Sequence, residues 1–222
     1  MIKRTIDIVL SFISILFLTP LLLPIIIILR FTGEGYIFYR QERIGRFGKP
    51  FNLLKFATMY KDSPNMEGGN ITAKNDQRIL PFGSILRKYK VNELPQIINV
   101  LLGDMSIIGR RPVVKEHYDF YDHITKENIS HFKPGLSGVS SVVFRNEEIF
   151  FSGMNSEKNK EFYREQMAPF KGKLETWYAN NQSLFVDILF MIITVFSIIY
   201  PPSNLHNLFF PDLPKHSVFN KD

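Results

Sequence analysis

The sequence contains no cysteine among its 222 residues. Disulfide frameworks and thiolate metal sites are therefore excluded, and the absence fits a reducing compartment. The Gly-x-Gly-x-x-Gly and Gly-Lys-Ser/Thr elements that bind phosphates in common nucleotide-binding folds are also missing. His117, His123 and His131 have no tight ligand spacing, so no zinc site is predicted. The hydrophobic content of 45% and the charged content of 22% are those of a globular chain, long enough for one domain and an appendage.

Acidic residues are scarce in the first quarter of the chain. Residues 1–60 contain eight basic side chains and three acidic ones, so most of the net charge of +6 lies there. This basic segment flanks a long apolar run, a pattern that favours an anionic membrane surface. A nucleic-acid docking motif is not found, and nucleic acid is not expected as a partner.

The apolar run from Ile8 to Leu29 contains no charged residue over 22 positions. About 20 helical residues cross a bilayer core, so a plain signal anchor is one interpretation. Pro20 and Pro24 predict a kink or a break, because each removes a backbone donor. Basic residues flank both ends of the run, and the positive-inside rule places both ends in the cytoplasm. The residues alone leave a spanning helix and a re-entrant helix equally open.

Periodicity and turn residues predict a mixed α+β chain after the apolar run, with more helix than strand. No internal repeat is found. The predicted elements are a strand, turn and strand over 36–60, a mobile polar loop over 61–78, helices over Phe82–Lys88 and from Asn92 to Leu102, a short strand over 139–144, a helix from 155 to Trp177 and Tyr178, a buried or interfacial helix over 188–200, and an irregular tail.

Asn92 and Glu93 place an amide directly beside a carboxylate at the predicted start of a helix. Asparagine is a preferred N-cap and glutamate in the first turn suits the helix dipole, so spacing alone favours capping. A functional site would need positive charges that converge on the same point, since helix N-termini and arginine forks bind phosphates. The candidate cations for such a site are Lys55, Arg87, Arg110 and Arg111. Asp104 either caps a turn or binds Mg²⁺.

Several segments, in order over roughly residues 1–195, carry a resemblance to a known family. They are "KRTIDIVLS", "IFYRQERIG", "NLLKFATM", "NDQRILPFGSILRK", "NELPQIINVLLGDMSIIGRRP" and "FKPGLSG". The chain resembles the bacterial sugar transferases of the monotopic polyprenyl-phosphate phosphoglycosyl transferase family.

The resemblance implies the transfer of a phosphosugar from a UDP-sugar to a polyprenyl phosphate, with release of UMP and a need for Mg²⁺. This reaction starts a surface glycan, which is a capsule, O-antigen, exopolysaccharide or glycoprotein glycan. The location implied is the cytoplasmic face of the bacterial inner membrane, with membrane lipid and downstream glycosyltransferases as further partners. The fold implied is α+β and mostly helical. It begins with a re-entrant membrane helix over 1–32, which breaks at Thr19, Pro20 and Pro24. A small cytoplasmic phosphoglycosyl transferase domain with interfacial amphipathic helices follows over 33–200, and an irregular C-terminal tail covers 201–222.

The sequence departs from the family pattern at its reaction centre. The family uses an Asp-Glu pair whose aspartate attacks the sugar-bearing phosphate, and Asn92 stands where that aspartate belongs. Glu93 is retained, Arg110 replaces a proline, and Ala57 replaces a basic residue. By position, Lys55, Arg87, Glu93 and Arg111 match active-site residues of the family, and Glu93 with Asp104 is the candidate Mg²⁺ ligand set.

An amide is a very poor nucleophile, so Asn92 cannot carry out covalent catalysis directly. Four explanations remain open. Glu93 is the nucleophile instead, or Glu93 assists direct attack by the lipid phosphate. Alternatively, the chain is a non-catalytic paralogue that binds a UDP-sugar or a partner, or Asn92 is an engineered substitution.

Overall fold

The computed structural model of the chain describes residues 2–67, 69–73, 76–151, 154–200 and 205–219. The architecture is α+β and mostly helical, as predicted. The helices are α1 (Ile2–Phe31), α2 (Pro81–Lys88), α3 (Gln96–Leu102), α4 (Lys115–Asp119), α5 (His123–Ser130), α6 (Val139–Val143), α7 (Ser156–Phe162), α8 (Ala168–Asn181), α9 (Leu184–Ile199) and α10 (Leu205–Phe209), and the strands are β1 (Phe38–Ile44), β2 (Pro50–Phe56), β3 (Ser106–Ile108) and β4 (Gly135–Ser137).

The chain folds into two compact units that alternate along the sequence. The first unit consists of Met1–Arg43, Pro50–Asp104 and Asn146–Lys160. The second unit consists of Ile44–Lys49, Met105–Arg145 and Glu161–Asp222.

In the first unit, α1 is a 30-residue helix that is long and apolar enough to cross a membrane, and little of its apolar window is buried. It continues without interruption through Pro20 and Pro24, so these prolines do not break the helix. Thr19 Oγ1 donates a hydrogen bond of 2.6 Å to the carbonyl of Ile15, and such bonds help a proline-containing turn to remain helical. A kink at these positions stays a prediction.

Both ends of α1 contact the rest of the first unit. Near its start, the guanidinium of Arg4 donates to two carbonyls in the last turn of α3, at 2.6 and 2.7 Å. A cation at this end of a helix also complements the helix dipole. Near the end of α1, Leu29 is buried in a cluster with Phe56 of β2 and Leu86 of α2.

Strands β1 and β2 form a two-stranded sheet and confirm the predicted strand, turn and strand. The helix α2 also confirms its prediction within one residue, and Pro81 occupies its first turn, where a missing donor is tolerated. Gly83 of α2 lies so close to the carbonyl of Thr58 that a Cβ atom there would collide with it. The absence of a side chain at Gly83 therefore brings α2 directly onto the chain that follows β2.

The helix α3 begins later than the sequence predicted. A 3₁₀ turn over Val91–Glu93 comes first, and the α-helix starts at Gln96, after Pro95. Its end agrees with the prediction, because Gly103 adopts a left-handed conformation with φ of 99°.

In the second unit, β3 and β4 pair in parallel, with Ser106 opposite Gly135 and Ile108 opposite Ser137. Parallel strands need a long crossover connection, and the segment with α4 and α5 supplies it.

The strand predicted over residues 139–144 is wrong, because Val139–Val143 form the helix α6. The β-branched valines favour strands, but that preference is weak and depends on context. Val139, Ser140 and Val142 are buried, which is the spacing of one helical face rather than of an alternating strand. Packing of this face against the rest of the second unit outweighs the local preference.

The remaining helices largely confirm their predictions. α7, a π-helical turn over Tyr163–Met167 and α8 occupy the region predicted as helical from residue 155. In α9, Phe190 and Ile193 are buried, while the apolar side chains on its other face are exposed. The tail is not wholly irregular, since α10 forms within it and Phe210 stacks on Phe190 with ring centroids 4.8 Å apart. Residues 201–204 and 220–222 of the predicted tail lie outside the described residues.

Candidate functional site

The first unit contains a cationic pocket with a volume of about 110 Å³. Four of the side chains that line it are basic, and none of the described lining residues is acidic. Such a pocket favours an anionic ligand, because its walls concentrate charge of one sign. The basic residues are Arg43, Lys55, Arg78 and Arg87.

Lys55 and Glu93 form an ion pair at the edge of this pocket. Lys55 lies near the end of β2, Glu93 lies in the 3₁₀ turn before α3, and 3.9 Å separates Lys55 Nζ from Glu93 Oε1. Both side chains are partly exposed. The pair therefore presents a cation and an accessible carboxylate together.

Arg87 of α2 is largely buried and lies within electrostatic reach of the same pair. Burial lowers the pKa of its guanidinium, and the carboxylates of Glu148, Glu93 and Asp76 oppose that effect. A guanidinium starts from a pKa far above neutrality, so Arg87 remains charged at neutral pH. The structure thus brings together three sequence-predicted site residues: Lys55, Arg87 and Glu93.

Asn92 does not cap α3, so the interpretation that spacing favoured is wrong. It lies inside the 3₁₀ turn after Lys90, a non-glycine residue in the left-handed region with φ of 57°. The side chain of Asn92 is buried, and its Oδ1 has no hydrogen-bond partner among the described residues. The amide occupies an enclosed position, whereas the neighbouring Glu93 is the accessible acid.

Asp104 lies at the opposite end of α3 from Glu93. Its backbone N–H donates to the carbonyl of Asn99 at 3.0 Å, within the C-terminal cap of the helix. Asp104 follows Glu93 by eleven positions, which corresponds to about 17 Å along a helix. The structure does not bring Asp104 and Glu93 together as ligands of one ion.

The described residues contain no group of three or more His, Asp or Glu side chains that could hold a metal ion. Mg²⁺, however, is commonly held by one or two carboxylates together with substrate phosphates and water. Glu93, beside a pocket suited to phosphates, fits that mode of binding.

Two residues that the sequence analysis did not single out organise this site. Asn99, in the middle of α3, accepts the backbone N–H of Leu54 at 2.9 Å and donates to the carbonyl of Asn52 at 2.8 Å. Its amide therefore pairs with the edge of β2 directly before Lys55. The only signal in the sequence was a polar residue in an otherwise apolar helix.

Arg78 is the second such residue, and it is 3% exposed. Its guanidinium donates to the carbonyls of Ser63, Gly69 and Ile71 at 3.0, 2.7 and 2.8 Å. It also forms an ion pair with Asp76, with 2.5 Å between Nη2 and Oδ2. Burial alone would raise the pKa of the Asp76 carboxyl, but the hydrogen bonds and charge of Arg78 outweigh it and leave that pKa below its ordinary value.

Arg110 and Arg111 belong to the second unit. Arg110 is 1% exposed, and its Nη2 donates to two carbonyls in the segment 44–45, which gives it a packing role. The backbone N–H of Arg111 donates to Glu175 Oε1 at 3.0 Å, and its guanidinium lies 3.3 Å from Ser141 Oγ. Burial raises the pKa of Glu175, while the Arg111 N–H and the charge of Arg110 lower it. Phosphate binding by Arg110 and Arg111 stays a prediction.

Comparison with known proteins gives a consistent result. A family model described as bacterial sugar transferase matches residues 1–201. The exopolysaccharide production protein ExoY of Sinorhizobium fredii is 32% identical over 207 residues, covering 87% of this chain and 83% of the relative. A UDP-glucose:undecaprenyl-phosphate glucose-1-phosphate transferase of Caulobacter vibrioides is 31% identical, covering 89% of this chain and 69% of the relative. A UDP-N-acetylgalactosamine-undecaprenyl-phosphate N-acetylgalactosaminephosphotransferase of Aeromonas hydrophila is 30% identical, covering 89% and 44%.

Proposed function

The chain belongs to the bacterial sugar transferase family, and from this premise we propose that it transfers a phosphosugar from a UDP-sugar to a polyprenyl phosphate and releases UMP. The observation that carries the proposal is the Lys55–Glu93 pair, with Arg87 in electrostatic reach, at a pocket lined by cations and no acid. Two such cations suit the diphosphate of the donor. The names of the relatives from C. vibrioides and A. hydrophila support a nucleotide-sugar donor and an undecaprenyl-phosphate acceptor. The product would begin a surface glycan.

The chemistry that we assign to this chain is direct displacement. An oxygen of the lipid phosphate attacks the sugar-bearing phosphorus, a new P–O bond forms, and the bond to UMP breaks with its electron pair leaving on UMP. The lipid phosphate is already an anion at neutral pH, so it needs no activated protein nucleophile. Lys55 and Arg87 stabilise the charge that develops on the transferred group, because they are fixed and partly desolvated. Arg111 stays a further candidate for this role.

Glu93 is the carboxylate of this site that would hold Mg²⁺. Bound to the diphosphate of the donor, the ion would neutralise its charge and favour departure of UMP. Asp104 is not required for this arrangement, since it lies at the other end of α3.

A second candidate function is binding without turnover. The specific observation that favours it is Asn92, an enclosed amide at the position where the resemblance places the aspartate nucleophile. A chain of this kind would bind a UDP-sugar or a partner enzyme at the membrane and leave the donor intact.

We also propose that α1 is re-entrant, with a bend at Pro20 and Pro24 that leaves it helical, and that the globular part of the chain lies on the cytoplasmic face of the bacterial inner membrane. The contacts at both ends of α1 support this proposal, because Arg4 and Leu29 each bind to the same unit. A spanning helix would carry one of these ends to the far side of the bilayer. The chain has no cysteine, so one cysteine placed at residue 2 can be labelled unambiguously in whole cells and in inverted vesicles. Labelling only in inverted vesicles is expected, and labelling of intact cells would refute the topology.

The first test of function is UMP release by the detergent-solubilised chain, beside its Asn92→Asp variant, with Mg²⁺, undecaprenyl phosphate and a panel of UDP-sugars. Turnover by the natural sequence is expected. If only the Asn92→Asp variant turns over, the binding function is correct. If neither releases UMP with any sugar, the transferase proposal is refuted.

The mechanism needs a separate test. Direct displacement predicts a ternary complex in initial-rate kinetics and no covalent adduct after incubation with UDP-sugar alone. Glu93→Gln should reduce kcat and weaken the Mg²⁺ dependence. A phosphosugar adduct on the peptide that contains Glu93, together with ping-pong kinetics, would show instead that Glu93 is the nucleophile.

A further inference from the structure

We infer that one segment of the first unit, residues 60–67 and 69–73, is the wall of the pocket that recognises the sugar of the donor, and that Arg78 is the positioning residue that holds this wall in place. This segment is called the polar loop below. The inference rests on the proposed function and assigns the sugar of the donor to one group of lining residues and its diphosphate to another.

Arg78 binds backbone carbonyls of the polar loop rather than the side chains of the loop. The guanidinium donates to carbonyls at residues 63, 69 and 71, which are three separate positions of the loop. Asp76 fixes the guanidinium itself through Nε and Nη2, at 2.9 and 2.5 Å. A buried guanidinium with this many acceptors is held in one orientation, and the loop carbonyls are held with it. Arg78 also lines the pocket, so the fixed loop and the cavity share this residue.

The polar loop and the remainder of the pocket differ in chemistry. Lys55 and Arg87 come from β2 and α2, outside the loop, and they carry the charge that a diphosphate requires. The loop contributes neutral side chains with hydroxyl or amide groups: Tyr60, Ser63, Asn70 and Thr72. A pocket that combines these cations with a group of neutral polar side chains fits a ligand that is anionic at one end and rich in hydroxyl groups at the other.

The distribution of neutral groups favours the sugar over the uridine. A hexose carries hydroxyl groups around its whole ring and is bound by donors and acceptors from several directions. Uracil has one hydrogen-bonding edge and two flat faces, and it is usually bound by stacking. Three aromatic residues, Tyr39, Phe56 and Tyr60, also line the pocket, but a hexose ring packs on aromatic faces as well, so the hydrogen-bonding groups distinguish the two ligands. Neutral polar side chains line the pocket from the strand side as well as from the loop, including Gln41 and Thr58. This encirclement matches a ring of hydroxyl groups.

The test compares ligands with and without the sugar, and it does not require turnover. The dissociation constants of UDP and of the UDP-sugar that binds best are measured by titration calorimetry on the full chain in detergent. Asn70→Ala and Thr72→Ala should each weaken UDP-sugar binding about tenfold, the effect of one lost hydrogen bond to a polar ligand, and change UDP binding by less than about twofold. Asn65→Ala is the matched control, because Asn65 belongs to the same loop but bonds to Asp62 and does not line the pocket.

Arg78 is tested in the same assay. Arg78→Gln should weaken UDP-sugar binding about tenfold or more and leave UDP binding close to that of the natural chain. Arg78→Lys should recover part of the affinity, since it restores the charge beside Asp76 but not the fork. Both variants should show faster proteolytic cleavage in the polar loop.

The outcomes separate this inference from the function on which it rests. If the natural chain binds no UDP-sugar, the proposed function and this inference both fail. If it binds a UDP-sugar but Asn70→Ala and Thr72→Ala bind as tightly as Asn65→Ala, only the inference fails. If these two variants weaken UDP and UDP-sugar equally, the wall contacts the nucleotide, and the assignment to the sugar is wrong. A misfolded Arg78→Gln variant leaves the two alanine variants to decide.

Discussion

Replacing Asn99 by leucine should remove the hydrogen bonds that join α3 to β2 without changing any charged residue of the site. The leucine side chain has nearly the same size as the amide and is at least as favourable in a helix, so the main loss is hydrogen bonding. The Leu54 N–H would lose its acceptor in a partly buried position, which costs about 1–3 kcal/mol. The Asn52 carbonyl belongs to an exposed residue and can bind water, so its loss costs about 0.5–1.5 kcal/mol. The expected loss in the free energy of unfolding is therefore about 2–4 kcal/mol.

The assay is thermal unfolding in detergent, followed by circular dichroism. For a chain of this size, 1 kcal/mol shifts Tm by about 2–4 °C, so the Asn99→Leu variant should melt about 4–16 °C lower. The control is Asn181→Leu, which removes one exposed amide bond to the carbonyl of Trp177 and should shift Tm by less than about 2 °C. UMP release measured below the lowered Tm should also fall, because β2 would no longer hold Lys55 in register with Glu93. If the two variants melt alike, the pairing of Asn99 with β2 contributes no stability and the reasoning is refuted.

Three further predictions concern the supports of the two units. Gly83→Ala should destabilise the first unit by about 1–3 kcal/mol, because its Cβ would collide with the carbonyl of Thr58; an unchanged Tm would contradict this close contact. Arg110→Met and Glu175→Gln should each lower the Tm, because each buried charge stabilises the other electrostatically, while the double variant should lower it by clearly less than the sum, as a double-mutant cycle will measure. The folded-state pKa of Asp76 is lowered, so the stabilisation that this carboxylate contributes is present above its ordinary pKa of about 4 and is lost as the pH falls through the folded-state pKa. Hydrogen exchange in the polar loop, corrected for intrinsic rates, should therefore rise below about pH 4. Asp76→Asn should remove this pH dependence.

Local patterns predicted those parts of the fold where one signal dominates. The uncharged run Ile8–Leu29 predicted α1, the strand, turn and strand over 36–60 correspond to β1 and β2, and the predicted helix end at Leu102 is the end of α3. In each case the residues that define the element are close together in sequence, and tertiary packing agrees with the local preference.

The errors occur where distant packing decides. The valines of α6 favour a strand by themselves and become helical because one helical face is buried. Asn92 has the chemistry of an N-cap, but the turn before α3 encloses it instead. The burial of Arg110 is not an error of prediction, but its sequence neighbours did not indicate it either, since the carbonyls that bind it lie about 65 residues away in the chain.

The candidate site shows the same division. Lys55, Arg87 and Glu93 were recognisable from motifs, whereas Asn99 and Arg78, which hold backbone in place, were not. When a side chain binds backbone carbonyl and N–H groups, the residue types of its partners do not reveal the contact, because almost every residue carries those groups. Such supports are visible only in a structure.

The helix α3 connects the membrane helix to the site chemistry within the first unit. Arg4 of α1 binds its last turn, Asn99 pairs its middle with β2, and Glu93 lies in the turn before its start. The polyprenyl phosphate that we propose as the acceptor would be confined to the membrane surface, so the reacting groups would need a fixed depth relative to α1. One short, rigid element bound at three points sets that depth for both Lys55 and Glu93. This arrangement explains why the reacting groups for a lipid-borne substrate would be held by α3, which is bound to α1, rather than by the polar loop.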